Sequence, residues 1–206
     1  DAEAQIQRLL DEQAQAEKPT AGTSDVGYSG SYTSDEKDVV EELIDNTSAS
    51  GQKFTELTDA WTNPDGVQNA VVFLERVITD VRLNSDGKPY RLEFEVSPKY
   101  KAGGNTYSIP NSDLSGYVLV RLPVPHDFTS DYGDVYHDGT YMNHYEIHRQ
   151  GTRSAYIEFR VRSFSTFVIE ESSYRPSSSS GSSGGSGSTS NQEAKAEERF
   201  WEDVKE

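Results

Sequence analysis

The stretch VYHDGTYMNHYEIH, residues 135–148, decides how the rest of the chain is read. At its centre stands Asp138-Gly139, a pair suited to a two-residue type I′ turn, which needs positive φ at both central positions. The flanking residues are β-branched and aromatic, as a pleated strand favours. A turn there pairs His137 with Thr140, Val135 with Met142 and Gly133 with His144. Alternate residues of a strand share a face, and so do cross-strand partners. One face is then expected to carry Val135, His137, Met142, His144, Glu146 and His148. The other carries Tyr132, Tyr136, Tyr141, Tyr145 and Ile147, and this aromatic face is expected to be the core side.

Three of the four histidines fall in this stretch, so a metal site must be weighed. The candidate ligands are His144, Glu146 and His148 on one strand face. Two histidines four residues apart on a strand are about 13 Å apart, while a Zn–N bond is about 2.0–2.1 Å. Nor does HYEIH follow the HExxH order of helical zinc proteases. The solvated face of a hairpin accounts for the pattern better, with each histidine titrating near its ordinary value of about 6.5. No cofactor is expected.

Outward from the hairpin, short runs rich in Val, Ile, Tyr and Phe are separated by turn signals, among them NPDG (63–66), NSDG (84–87) and AGG (102–104). Strands are predicted near 70–83, 90–97, 106–109, 116–122, 132–137, 141–148, 155–161 and 166–170. Strands in succession without alternating helices argue for an all-β antiparallel sandwich, flanked by short helical segments and a flexible Ser/Gly linker. The expected order is a helix over 1–18 and a linker over 19–37. A β-sandwich module follows over 38–171, then a Ser/Gly-rich linker over 172–192 and the start of a helical module over 193–206. The first helix has only Ile6, Leu9 and Leu10 as an apolar stripe, so it is expected to dock on a neighbour or fray. Thr33 and Glu36 have the spacing of a capping box. The sequence begins without Met and reads as a piece of something longer.

The 206 residues carry a net charge of −16 and no cysteine. That field repels nucleic-acid phosphates and anionic lipid heads, and no apolar run is long enough to span a bilayer. Hence neither a nucleic-acid partner nor membrane insertion within this chain is expected. No nucleophile elbow, phosphate loop or dinucleotide fingerprint is present, and nothing in the carboxylate spacing selects a catalytic pair. The Asp-rich turns do not match a calcium loop. The loop YKAGGNTY, from Tyr100 to Tyr107, mixes aromatic and polar side chains at a strand end. Tyr100 and Tyr107 are therefore the candidate ligand-binding residues, with a glycan as the candidate ligand.

The runs VLVRLPVPHDF (118–128), DVYHDGTY (134–141) and FRVRSFSTFVIEE (159–171) resemble the closing half of a β-domain of extracellular multidomain proteins from Gram-positive bacteria. Ser163 stands where that pattern often has His, which argues against a site shared by His137 and a second histidine. The resemblance implies a non-catalytic module at the cell surface or in a secreted protein, serving as structural spacer or adhesion-type unit. Its partners would be neighbouring domains of the same chain and a host or cell-wall glycan or protein. The alternative expectation is an accessory carbohydrate-binding module of a secreted glycoside-active enzyme.

Overall fold

The computed structural model describes residues 1–16, 18–151 and 154–177. The chain divides after Arg175; of the second unit, Pro176–Glu206, only Pro176 and Ser177 are described. The expected Ser/Gly tether beyond Ser177 and the helical module over 193–206 lie outside the described residues.

In the first unit, two sheets pack face to face as a β-sandwich. The larger sheet is built on a long hairpin, β3 (Val71–Leu83) and β4 (Pro89–Ala102). The C-terminal strand β11 (Thr166–Glu171) pairs with β4, and beyond it lie β7 (Tyr132–His137) and β8 (Thr140–Glu146). A short strand β5 (Asn105–Ser108) also pairs with β4. The smaller sheet runs β6 (Val118–Val124), β10 (Ser154–Val161), β9 (His148–Gln150). Val72, Leu74, Phe94, Phe167 and Val135 from the larger sheet face Val120, Leu122, Ile157 and Phe159 from the smaller, and all are buried. Gly133 permits the close approach. A Cβ there would stand 3.0 Å from Ile157 Cδ1 and 3.2 Å from Ile169 Cγ2.

The sandwich is not purely antiparallel. Thr20–Tyr28, expected as linker, contributes β1 (Thr20–Ala21) and β2 (Val26–Tyr28), both parallel to β3. Gly and Ser disguise this segment, because they bury little and its hold is mostly backbone. Between the two strands the Ser24 hydroxyl donates to the Leu74 carbonyl at 2.6 Å. Ser172, placed in the tether by composition, likewise belongs to the module: its N–H donates to Tyr132 O and its hydroxyl to Asp134.

Helix α1 (Ala2–Ala16) leaves Ile6, Leu9 and Leu10 exposed. Three short helices, α2 (Ser34–Ile44), α3 (Thr47–Ser50) and α4 (Thr55–Ala60), pack against β3 and β6 and close that side of the sandwich. The Thr33–Glu36 capping box opens α2, which buries Val40 and Leu43.

These helices also solve the edge problem of β6. An unpaired strand edge exposes backbone donors and acceptors that template unwanted pairing. Here Glu56 accepts the Leu119 N–H at 2.7 Å and Gln52 accepts the Arg121 N–H at 2.9 Å. Gln52 donates back to Leu119 O at 2.9 Å, and Arg76 donates to Arg121 O at 2.8 Å. The next position on that side is Pro123, which has no N–H to leave open. The edge is closed by side chains.

Arg76 ties the segments together. It is fully buried, and its guanidinium donates to the carbonyls of Ser24, Ala49 and Arg121 and to Gln52 Oε1. Phe54 lies beneath it, with Cζ 5.2 Å from the ring centre. Among the described residues no carboxylate pairs with the guanidinium directly. Burial, with the nearby Arg121 charge, lowers its pKa to about 10, so it stays protonated at neutral pH.

Candidate functional site: an aromatic ladder at the sheet end

The turn after β4 carries Gly103 and Gly104 at φ +57° and +80°, left-handed geometry that glycine adopts without strain. This folds β5 back on β4 and sets Tyr107 directly opposite Tyr100. Their rings stack at 5.0 Å between centroids, with planes 22° apart. Behind Tyr100 lies Trp61, stacked at 4.7 Å and again 22°. Trp61 is held at the end of α4 by its N–H to Leu57 O and by a bridge to Leu114. Three rings thus run outward in order, Trp61 buried, Tyr100 half-buried and Tyr107 45 % exposed. The loop that held the two candidate tyrosines does bring them together. Sequence reading missed Trp61, since no local pattern links a helix end to a hairpin some 40 residues away in the chain.

The hairpin at Asp138-Gly139 has the expected turn, with φ of +48° and +80° and His137 opposite Thr140. Its faces differ from expectation. A bulge inserts Met142, so Tyr136 pairs with Tyr141 but Val135 pairs with Asn143 and Gly133 with Tyr145. A single extra residue reverses the inward–outward alternation from that point. Val135 is fully buried, while Tyr132 and Tyr136 lie on the outer face with Tyr141, which is exposed. Of the expected core tyrosines, Tyr145 faces inward against Phe159, followed by buried Ile147.

The histidines part company for the same reason. His137 turns inward and stacks on Phe167 at 4.3 Å. Half-burial pushes its pKa below the ordinary value, with the Asp138 charge opposing that shift, which corrects the expectation of an unperturbed, solvated ring. Its Nε2 lies 2.7 Å from Ser165 Oγ, and that hydroxyl donates to Asp138 Oδ2 at 2.7 Å. The order is wrong for nucleophilic catalysis, where histidine stands between serine and acid. With the serine proton given to Asp138, His137 Nε2 serves as donor, and the trio fastens the turn.

His144 lies on the outer face, stacked on Tyr174 at 3.6 Å with Tyr132 edge-on at 5.7 Å. Glu146 pairs across from Tyr132. His148 belongs to the other sheet, because the chain crosses at Ile147, and it stacks on Tyr156. The three proposed ligands therefore do not converge. Among the described residues no group of three His, Cys, Asp or Glu side chains is placed to hold a metal ion. His126 sits elsewhere, with Nδ1 2.6 Å from Glu42 in a depression of about 490 Å³ that Asp38, Glu41 and Asp45 also line. No helix among the described residues is long and apolar enough to cross a membrane.

No protein-family model, no curated protein and no solved structure matches this chain.

Proposed function

We propose that the β-module is a non-catalytic spacer of an extracellular multidomain protein, built to carry tension along its chain. One observation supports this reading, the direction of the entry and exit strands. β1 and β2 run parallel to β3, β3 is antiparallel to β4, and β4 is antiparallel to β11. Entry and exit strands therefore point the same way in one sheet. The chain enters at the level of Val71 and leaves near that of Arg82. Over that stretch of β3 the two points stand roughly 35 Å apart along the strands. Tension between them runs parallel to the strands. It loads β11 in shear between two ladders, on β4 and β7, so several hydrogen bonds must fail together. Such a geometry suits a link in a surface-exposed chain, in keeping with the resemblance to bacterial surface domains.

The absence of cysteine makes the test clean, since handles can be placed at introduced thiols alone. Single molecules carrying Thr20→Cys and Arg175→Cys are pulled along the strands. A second variant, Ser29→Cys with Asn143→Cys, is pulled across them from opposite sheet edges. The expected result is a several-fold higher unfolding force along the strands. Equal forces, or a weaker longitudinal axis, would rule out the spacer reading.

A further inference from the structure

We propose that Tyr107, backed by the ladder and flanked by Asn105, is a stacking site for a neutral hexopyranosyl unit of a glycan. The proposal does not rest on the spacer reading. A pyranose presents a flat patch of C–H groups rimmed by hydroxyls, so its receptor needs a fixed aromatic face and a polar group beside it. Tyr107 supplies the face. Its inner side is parallel to Tyr100, which is itself parallel to Trp61, so the ring plane is set before any ligand arrives. A preset side chain loses little entropy on binding. Among the described residues no other exposed tyrosine ends a run of three stacked rings: Arg162 lies over Tyr117 at 4.3 Å, Tyr174 has only His144 stacked behind it, and Tyr32 and Tyr141 meet their neighbours edge-on.

Asn105 supplies the polar group. It lies two residues before Tyr107 on β5, hence on the same face, roughly 6–7 Å along the strand. Its amide has both donors and an acceptor, which match vicinal hydroxyls. Approach is open as well, for Tyr107 is exposed and so is every residue of β5. The net charge of −16 disfavours uronic and sulfated glycans and selects a neutral sugar.

The test uses the full chain with cellohexaose, chitohexaose and maltohexaose as probes and a heparin hexasaccharide as the anionic control. Saturation-transfer NMR and titration give the affinities, and each variant's melting temperature confirms that it is folded. At least one neutral oligosaccharide should bind saturably and heparin should not. Replacing Tyr107→Ala should weaken that binding by about tenfold, whereas Tyr107→Phe should keep it within about threefold. Asn105→Ala should weaken it less than Tyr107→Ala does, and Tyr141→Ala should leave it unchanged. Silence from all three neutral probes, undiminished binding by Tyr107→Ala, or a preference for heparin would each overturn the proposal. The pulling experiment reads neither Tyr107 nor Asn105, so the two readings fail separately.

Discussion

At the β6 edge, the backbone groups of one strand are met by side chains 45 to 69 residues away in the chain. In the β7–β8 hairpin, the ladder joins neighbours across a two-residue turn. The first region is held by long-range polar contacts without a local pattern, and the second by local pairing that any β-strand former can sustain. The contrast bears on how each should respond to damage. A polar hub fails as a unit, because removing it strands every group it served. A hairpin fails one residue at a time, according to which face each side chain occupies.

The largest effect should come from Arg76. Replacing it with Met keeps the bulk but leaves the carbonyls of Ser24, Ala49 and Arg121 without this donor. Stranding buried partners in this way costs about 3–5 kcal/mol. Urea denaturation should show that loss as a lower midpoint. Arg76→Lys should also be destabilising, since an ammonium cannot reproduce the fork that spans segments on several sides. A loss below about 1 kcal/mol would mean that the hub is dispensable and the contrast is false.

The same contrast explains what was legible in the sequence. Most of the strands, the Asp138-Gly139 turn and the Thr33 capping box carry local signals and form where their residues indicate, whereas the strand expected over 141–148 divides at Ile147 between the two sheets. Thr20–Tyr28 gave no such signal, because its attachment depends on backbone bonds to β3 and on Ser24, not on an alternating apolar face. Arg76 was equally silent, a charged residue within an apolar strand run whose acceptors are remote in the chain and mostly main-chain atoms. Of the candidate site, Tyr100 and Tyr107 were legible because a glycine turn joins them. Trp61 was not, because only the packing of α4 brings it there.

Within the hairpin, a smaller and sharper effect should separate neighbours. Val135 is fully buried, so Val135→Ala should cost about 2 kcal/mol through lost burial and the cavity it leaves. Tyr136 faces outward over Val168 with Tyr141 edge-on, so Tyr136→Ala should cost about 1 kcal/mol or less. Thermal or urea unfolding of the two variants decides which face of β7 is turned to the core. If Tyr136→Ala proves the costlier, the aromatic face of β7 is the core side and Val135 faces outward.

The smallest effect concerns pH and isolates His137. Its ring is pressed on Phe167, and burial holds its folded-state pKa below the ordinary value despite the opposing Asp138 charge. Folding therefore favours the neutral form. Well above about pH 6.5 the ring is neutral in both states and contributes no pH dependence. As pH falls below that, the unfolded chain takes up the proton first, so stability declines. The decline ends once pH passes below the folded-state value, where both forms are charged. His137→Gln cannot titrate, and subtracting its stability profile from that of the unaltered chain cancels the carboxylates and the other histidines. The difference should be flat above neutrality and fall, at the expense of the unaltered chain, on acidification below about pH 6.5. A difference that instead rises on acidification would place the protonated ring in the fold. The Asp138 charge would then outweigh burial, and the hairpin's inner face would be wetter than its packing on Phe167 implies.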